Sequence, residues 1–357
     1  MKNYWYFWPL AWLYGLGVYL RNRFFDWGWL KTHTFKKAVI SVGNITVGGT
    51  GKTPHVAYLI ELLQQQFGVA VVSRGYKRKS KGLQEASVSS NSEQIGDEPY
   101  QLYRKYPKTK VVAEANRCKA IRYIETHHPS VDVVVLDDAF QHRYVQPGLS
   151  ILLIDYNRLI THDKLLPVGS LREPASARYR ASVVIVTKCP PQIKPIELRN
   201  LYNDIQPRPY QRIYFSYYQY APLKSLMTNL EKPLTRQLAT LVVTGIASPQ
   251  PILDYLTPLV GSVSTISFAD HHHFTRKDWE KIQKDFQRIH NPNKCIVVTE
   301  KDAARLVDNK HIPSDLLPFI YVLPIRVCFL QDKEKEFNQL IISYVDKNKR
   351  NSDFFGG

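Results

Sequence analysis

Residues 38–68 constrain the fold more than any other stretch of this chain. A continuous apolar run, AVISVG (38–43), leads into a glycine-rich turn, NITVGGTGKTP (44–54), and then into PHVAYLIELLQQQFG (54–68), a segment long enough for a crossover helix. A run of that kind suits a strand buried on both faces, which is the situation of a parallel sheet covered by helices. A glycine-rich turn between such a strand and a helix gathers backbone N–H groups at the positive end of the helix dipole, where they can point at a bound phosphate. Gly51, Lys52 and Thr53 fit the end of the phosphate-loop pattern G-x-x-x-x-G-K-[ST], but Thr46 stands where its first glycine belongs, and Gly48 and Gly49 are additional. The strand, turn and helix context outweighs the misplaced glycine. Gly48, Gly49, Thr50, Gly51, Lys52 and Thr53 are therefore expected to hold nucleotide phosphates, with Lys52 on the β/γ-phosphates and Thr53 on Mg²⁺.

The same kind of run recurs at VAVVS (69–73), KVVA (110–113), VDVVVLDD (131–138), SILLID (150–155) and SVVIVTK (182–188). Buried strands alternating with helical stretches predict an α/β fold with a doubly wound, mostly parallel sheet. The composition then shifts. Tyr-rich YQRIYFSYYQYAPL (209–222) and FIYVLPIRVCFL (319–330) are expected to pair as a two-stranded connector. Between them, LATLVVTGIA (238–247), SVSTISFADHHHF (262–274) and KCIVVTEKDAARL (294–306) form a second, smaller α/β unit. The expected organisation is an N-terminal helix over 1–28, a phosphate-loop domain over 29–208, connector and small domain over 209–330, and a C-terminal helix and tail over 331–357.

The stretch YWYFWPLAWLYGLGVYL (4–20) carries no charge and is followed at once by Arg21 and Arg23. Seventeen residues at roughly 1.5 Å each fall short of a ~30 Å hydrocarbon core. Its many Tyr and Trp residues favour the membrane–water boundary. A helix lying in that boundary is expected, with a helix docked on the domain and a full membrane span as the alternatives. A signal peptide fits poorly, because no small-residue cleavage site follows. The chain of 357 residues has 48 Lys and Arg against 31 Asp and Glu, a net +17 that points to an anionic partner. Its four cysteines lie far apart with no C-x-x-C pair, which suggests neither a zinc site nor a disulfide framework, and a reducing cytosol is the simplest compartment.

Four further stretches carry chemistry. VDVVVLDDAFQHR (131–143) is a strand ending in Asp137 and Asp138, candidates for the metal shell at a phosphate loop or, alternatively, caps of a following helix. In SRGYKRKSK (73–81), Arg74 at a strand end can reach the cleft, whereas Lys79 and Lys81 belong to a solvated basic surface. Asp97, after Gly96, reads equally as a general base and as a helix cap. FADHHHFT (268–275) cannot aim three adjacent histidines at one ion, so proton transfer by one of them, oriented by Asp270 or another carboxylate, competes with a plain surface turn.

Taken in order, NITVGGTGKTP, SRGY, GDEP, DDAFQHR, GSLREP, FADHH and TEKDAAR resemble the tetraacyldisaccharide 4′-kinase family, lipid A pathway enzymes of Gram-negative bacteria, over about residues 1–330. Ala139 departs from that pattern, which has glycine there. The resemblance implies ATP-dependent, Mg²⁺-assisted phosphorylation of the 4′-hydroxyl of a tetraacylated glucosamine disaccharide 1-phosphate at the cytoplasmic face of the bacterial inner membrane, by a peripheral or monotopic enzyme. It implies a catalytic group of Asp97, His271 and Lys52, with His272 as the fallback histidine. It places Thr53, Asp138 and Glu173 at the metal, and Arg74, Tyr76, Arg117, Gln141 and Arg143 at the phosphosugar head group. Partners are the lipid substrate and the inner-membrane surface, with neither nucleic acid nor a protein partner implied. The alternative is a membrane-associated phosphate-loop ATPase or GTPase switch. A GTPase wants [NT]-K-x-D for guanine, and TKCP (187–190) has Pro190 in place of that Asp.

Overall fold

The structure, a computed structural model, describes residues 5–355 apart from Lys77, Asn229, Ala247 and His271. Helix α1 (Trp8–Asp26) precedes β1 (Ala38–Gly43), α2 (Lys52–Leu63), β2 (Val69–Ser73), β3 (Gln84–Glu85), α3 (Ser92–Ile95), α4 (Asp97–Lys105), β4 (Lys110–Ala113), α5 (Arg117–His127), β5 (Val133–Asp137), β6 (Leu149–Asp155), β7 (Val183–Thr187) and α6 (Pro195–Ile205). Then come β8 (Arg212–Tyr220), β9 (Leu223–Ser225), β10 (Glu231–Lys232), β11 (Ala239–Thr244), α7 (Gln250–Leu256), β12 (Ser262–Ser267), α8 (Arg276–Gln287), β13 (Lys294–Thr299), α9 (Glu300–Leu306), β14 (Ile320–Leu323), β15 (Ile325–Phe329) and α10 (Glu334–Phe355).

The first sheet runs β15-β8-β7-β6-β1-β5-β2-β4-β3. Its seven inner strands are parallel, and β3 and β15 close the edges antiparallel. Alternate residues of each strand serve opposite faces. Ile40, Val42, Val71 and Val135 pack with Val56, Leu59, Ile60 and Leu63 of α2 and with Phe337, Ile341 and Val345 of α10. Val39, Val72 and Val134 pack with Ile121 and Ile124 of α5 on the other side. Burial on both faces is why these strands read as unbroken apolar runs. Chain order matters for the site: β5 lies between β1 and β2, so the carboxyl ends of β1 and β5 are neighbours, with Val42 paired to Asp137.

The second sheet, β10-β9-β14-β13-β11-β12, is parallel from β14 to β12. Trp279, Ile282 and Phe286 of α8 cover one face, and Ile252 and Leu256 of α7 the other. The chain passes between the sheets twice, and a proline marks each passage. Pro222 separates β8 from β9, and Pro324 separates β14 from β15, so each Tyr-rich or apolar stretch is divided between two sheets. A proline has no N–H to give a ladder, which ends one strand and lets the next start in another sheet. The N–H of Ala221 donates to the carbonyl of Pro324 at 3.0 Å, tying the passages together. The pair β8 and β15 expected as a connector is thus also the edge of the large sheet.

Candidate active site

A cavity of about 1590 Å³ opens where the two units face each other, over the carboxyl ends of β1, β5, β6 and β7. The phosphate loop forms its floor. Gly48 and Gly51 have φ of 98° and 86°, a conformation that a side chain would strain. Thr46 is extended: it bridges to Leu171, the N–H of Val47 donates to the Ser170 carbonyl, and that of Arg172 to Ile45. The loop therefore enters its turn from a short pairing with the segment GSLREP, and the turn begins later. This is the physical reason a residue other than glycine is tolerated at 46, and the first left-handed glycine of the turn is Gly48.

Lys52, the first residue of α2, points across the loop to Asp138, 3.7 Å away. Arg172 donates to both oxygens of Asp138 at 3.3 Å. Asp138 has a φ of 48°, whereas Ala139 lies outside the positive-φ residues. Left-handed backbone suits Asp, whose short polar side chain lowers the cost, and Ala139 can stand for glycine because that strain falls one residue earlier. No helix follows the turn, so neither aspartate is a cap. Beneath it, Arg117, 2% exposed, donates to the carbonyls of Asp137 and Asp138 at 3.2 and 3.4 Å. Burial lowers the Arg117 guanidinium to about 10 despite the adjacent carboxylates. Burial, then the charges of Glu98 and Asp138, pushes Asp137 up to about 7.

Buried polar atoms without a protein partner gather here. Among the described residues they include Thr50 Oγ1, Asp137 Oδ1, Glu173 Oε1, His142 Nε2 and the Tyr218 hydroxyl. A buried oxygen left without a donor is costly, so such a cluster is expected where a cation or polar ligand completes the shell. Glu173 is 1% exposed and otherwise pairs with Arg180. Among the described residues no three His, Cys, Asp or Glu side chains form a metal cluster. A Mg²⁺ site completed by phosphates and water needs only one or two carboxylates.

The structure brings Gly48 to Thr53, Arg74, Tyr76, Arg117, Asp138, Gln141 and Glu173 to the cavity wall. It places Arg143 elsewhere: its guanidinium donates to the Asn22 carbonyl at 3.0 Å and pairs with Asp26 at 2.7 Å, holding α1 to the domain. Asp97 is adjacent to the lining residue Glu98, and Gly96, not Asp97, occupies the cap position of α4. Its carboxylate accepts from Arg305 of α9 at 2.9 Å, a contact between the two units. His271 lies outside the described residues. His272 pairs with Asp278 at 2.9 Å and stacks on Phe268, within the cap of α8. Asp270 lines the cavity and pairs with Lys301 at 3.0 Å.

Several residues at the cavity wall or directly behind it escaped the sequence reading. Lys188, with φ of 59°, donates to Asp155 at 2.6 Å and to the carbonyl of Gly49. The hydroxyl of Thr187 donates to the Thr50 carbonyl at 2.9 Å, and Arg158 to that of Val47 at 2.6 Å. Asp155 ends β6 and Thr187 ends β7, with Lys188 next, so their place at strand ends was the available signal. Helix α1 closes one side through Tyr14, Val18 and Arg21, with the Tyr14 hydroxyl donating to the Arg172 carbonyl at 2.9 Å and Arg21 to that of Gln141 at 2.8 Å.

Residues 3–346 match the family model described as tetraacyldisaccharide-1-P 4′-kinase. The chain belongs to that family. It is 48% identical to the tetraacyldisaccharide 4′-kinase of Phocaeicola vulgatus over 99% of this chain and 98% of the relative. Against the enzyme of the same name from Bacteroides thetaiotaomicron it is 46% identical, with 99% and 96% covered. A crystal structure described as the "apo" form of LpxK from Aquifex aeolicus in complex with ATP superposes with a TM-score of 0.72 at 28% identity, covering 95% of this chain and 98% of that one. The tetraacyldisaccharide 4′-kinase family thus accounts for the loop, the strand-end aspartates and the two-unit α/β architecture together.

Proposed function

We propose that this kinase transfers the γ-phosphoryl group of ATP to the 4′-hydroxyl of a tetraacylated glucosamine disaccharide 1-phosphate. One observation carries the reading: in a chain matched end to end by the 4′-kinase family, the loop lysine Lys52 faces Asp138 across the carboxyl ends of β1 and β5. Phosphoryl transfer asks the protein chiefly for alignment and charge neutralisation. Lys52 and the backbone amides of residues 48–53 hold the phosphates, and Arg172, freed from Asp138, is a further cation at the site. Thr53, Asp138 and Glu173 are the residues that would hold Mg²⁺, which when bound would neutralise phosphate charge. Asp97 accepts the proton of the attacking hydroxyl, with His271 assisting. Arg74, Tyr76 and Gln141 take the phosphosugar end, while Arg117 fixes the turn that carries both aspartates.

The acceptor is a lipid, and α1 supports its capture from a membrane surface. No helix among the described residues is long and apolar enough to cross a membrane. Trp8, Trp12, Leu13, Tyr19, Trp27 and Trp29 are exposed on α1 and the turn after it, with Trp12 at 68% and Trp29 at 71%. These side chains suit the headgroup boundary, and Tyr14 and Arg21 of the same helix reach the cavity. The protein accordingly acts as a peripheral or monotopic enzyme at the cytoplasmic face of the inner membrane. The test is transfer of radiolabel from ATP, and separately from GTP, to extracted disaccharide lipid, read by the mobility of the product. No labelled lipid from ATP would sink the reading, and preference for GTP would favour the switch alternative.

A further inference from the structure

The closing glycine of the phosphate loop is held from outside the loop. The carbonyl of Gly51 lies 2.8 Å from Nδ1 of His55, one turn along α2, and also accepts the His55 backbone N–H at 3.3 Å. A carbonyl can only accept, so Nδ1 carries the ring proton. The ring is 3% exposed, and burial holds it down at about 4, so it is neutral near pH 7 and its Nε2 is a bare acceptor. That acceptor lies 3.0 Å from the hydroxyl of Ser216, which therefore donates to it; the Val186 carbonyl, also within reach of that hydroxyl, is farther off at 3.4 Å. Two residues on, and so on the same face of β8, the hydroxyl of Tyr218 stands 1.8 Å from where a Cβ on Gly51 would be. β8 is the strand that continues through Pro222 into the second sheet.

We propose that Ser216 and His55 are positioning residues for nucleotide binding, a hydrogen-bonded tie from the inter-unit strand β8 to the phosphate loop, with Tyr218 as the steric stop that fixes Gly51 against it. The inference rests on the nucleotide-binding reading of the loop and goes beyond it by assigning part of the ATP affinity to a strand outside the loop. The tie acts on loop geometry, and the loop meets the phosphates before and during transfer alike. Its loss should therefore raise KM for ATP and leave kcat almost unchanged.

Ser216→Ala removes the far end of the tie without altering any loop residue. KM and the directly measured Kd for ATP should both rise about five- to tenfold, with kcat within about twofold, the scale of one hydrogen bond. Ser216→Thr, which keeps the hydroxyl, should restore affinity. An unchanged KM and Kd in a Ser216→Ala protein that melts like wild type would overturn the proposal, as would a loss confined to kcat. Should Ser216→Ala not fold, His55→Asn decides, because its amide can still donate to Gly51 but not reach Ser216. Raised KM there supports the tie, and wild-type KM refutes it. Wild-type protein that fails to bind ATP would instead refute the nucleotide reading itself, so the two failures are distinguishable.

Discussion

At the scale of single residues, the two kinds of carboxylate in the site make different demands. Asp138 lies between Lys52 and Arg172, a place for a group that shares charge with cations, whereas Asp97 sits at the start of α4 against Arg305. Lys52→Ala should abolish transfer while the melting temperature stays near wild type, since the lysine is at the cavity wall and not in the core. Asp97→Asn should lower kcat by roughly 10²–10⁴ with little change in KM for ATP, because it keeps shape but loses basicity. Asp138→Asn should instead raise the Mg²⁺ concentration needed for half-maximal rate. If both variants responded to Mg²⁺ alike, the division of labour between them would be wrong. The tie through His55 has a consequence for stability as well. Its ring sits at about 4 in the fold against an ordinary 6.5. Between those values the unfolded chain binds a proton that the native ring does not. Stability is therefore fully present above about pH 6.5 and falls as the pH drops towards 4, by up to about 3 kcal/mol for this group. Urea unfolding at pH 7 and pH 4.5 should show a larger loss for wild type than for His55→Asn. His142, which burial also holds at about 4, is common to both proteins and cancels.

Among the elements, the two terminal helices have opposite relations to the core. α10 buries Phe337, Ile341 and Val345 against β1 and α2, so the last helix completes the first sheet although the second unit intervenes in sequence. Ile341→Ala should cost about 3 kcal/mol in chemical denaturation, the usual scale for a fully buried side chain cut back to Ala. A loss below about 1 kcal/mol would mean that α10 is peripheral to the core. α1, in contrast, buries only Ala11 and Phe25 and is held mainly by Tyr14, Arg21 and Arg143. Deleting residues 1–28 should leave the sheet folded and shift the protein from the membrane to the soluble fraction. Continued sedimentation with membranes would place the anchor elsewhere.

For the molecule as a whole, the relation of the two units depends on buried charge. Arg305, 6% exposed, bonds Asp97 of the first unit and Asp302 of its own, and Asp302 also accepts from Thr244, Thr299 and the Gly245 N–H. A second bridge joins Lys105 to Glu300 at 3.0 Å. Truncating one partner of a buried pair leaves the other charge without compensation, which costs more than the pair gains. Arg305→Met should therefore destabilise the protein by about 3 kcal/mol and separate the unfolding of the two units in calorimetry. A single unperturbed transition would show that the bridge is incidental.

What could be read from the sequence was whatever a local pattern carries. Unbroken apolar runs announced strands covered on both faces, Gly48 to Thr53 were legible as a turn between a buried strand and a helix, and the place of Asp138 just past β5 followed from the run that precedes it. Ordered motifs identified the family. Contacts between residues far apart in the chain could not be read. The sequence does not reveal that Arg143 fastens α1, that Asp97 meets Arg305, 208 residues away, or that Ser216 reaches the phosphate loop through His55. Even the oddity at Thr46 was explained only by its pairing with Leu171. Periodicity reports which face of an element is buried, but what lies against that face is decided by sheet order and by the two proline passages, and those exist only once the chain has closed on itself.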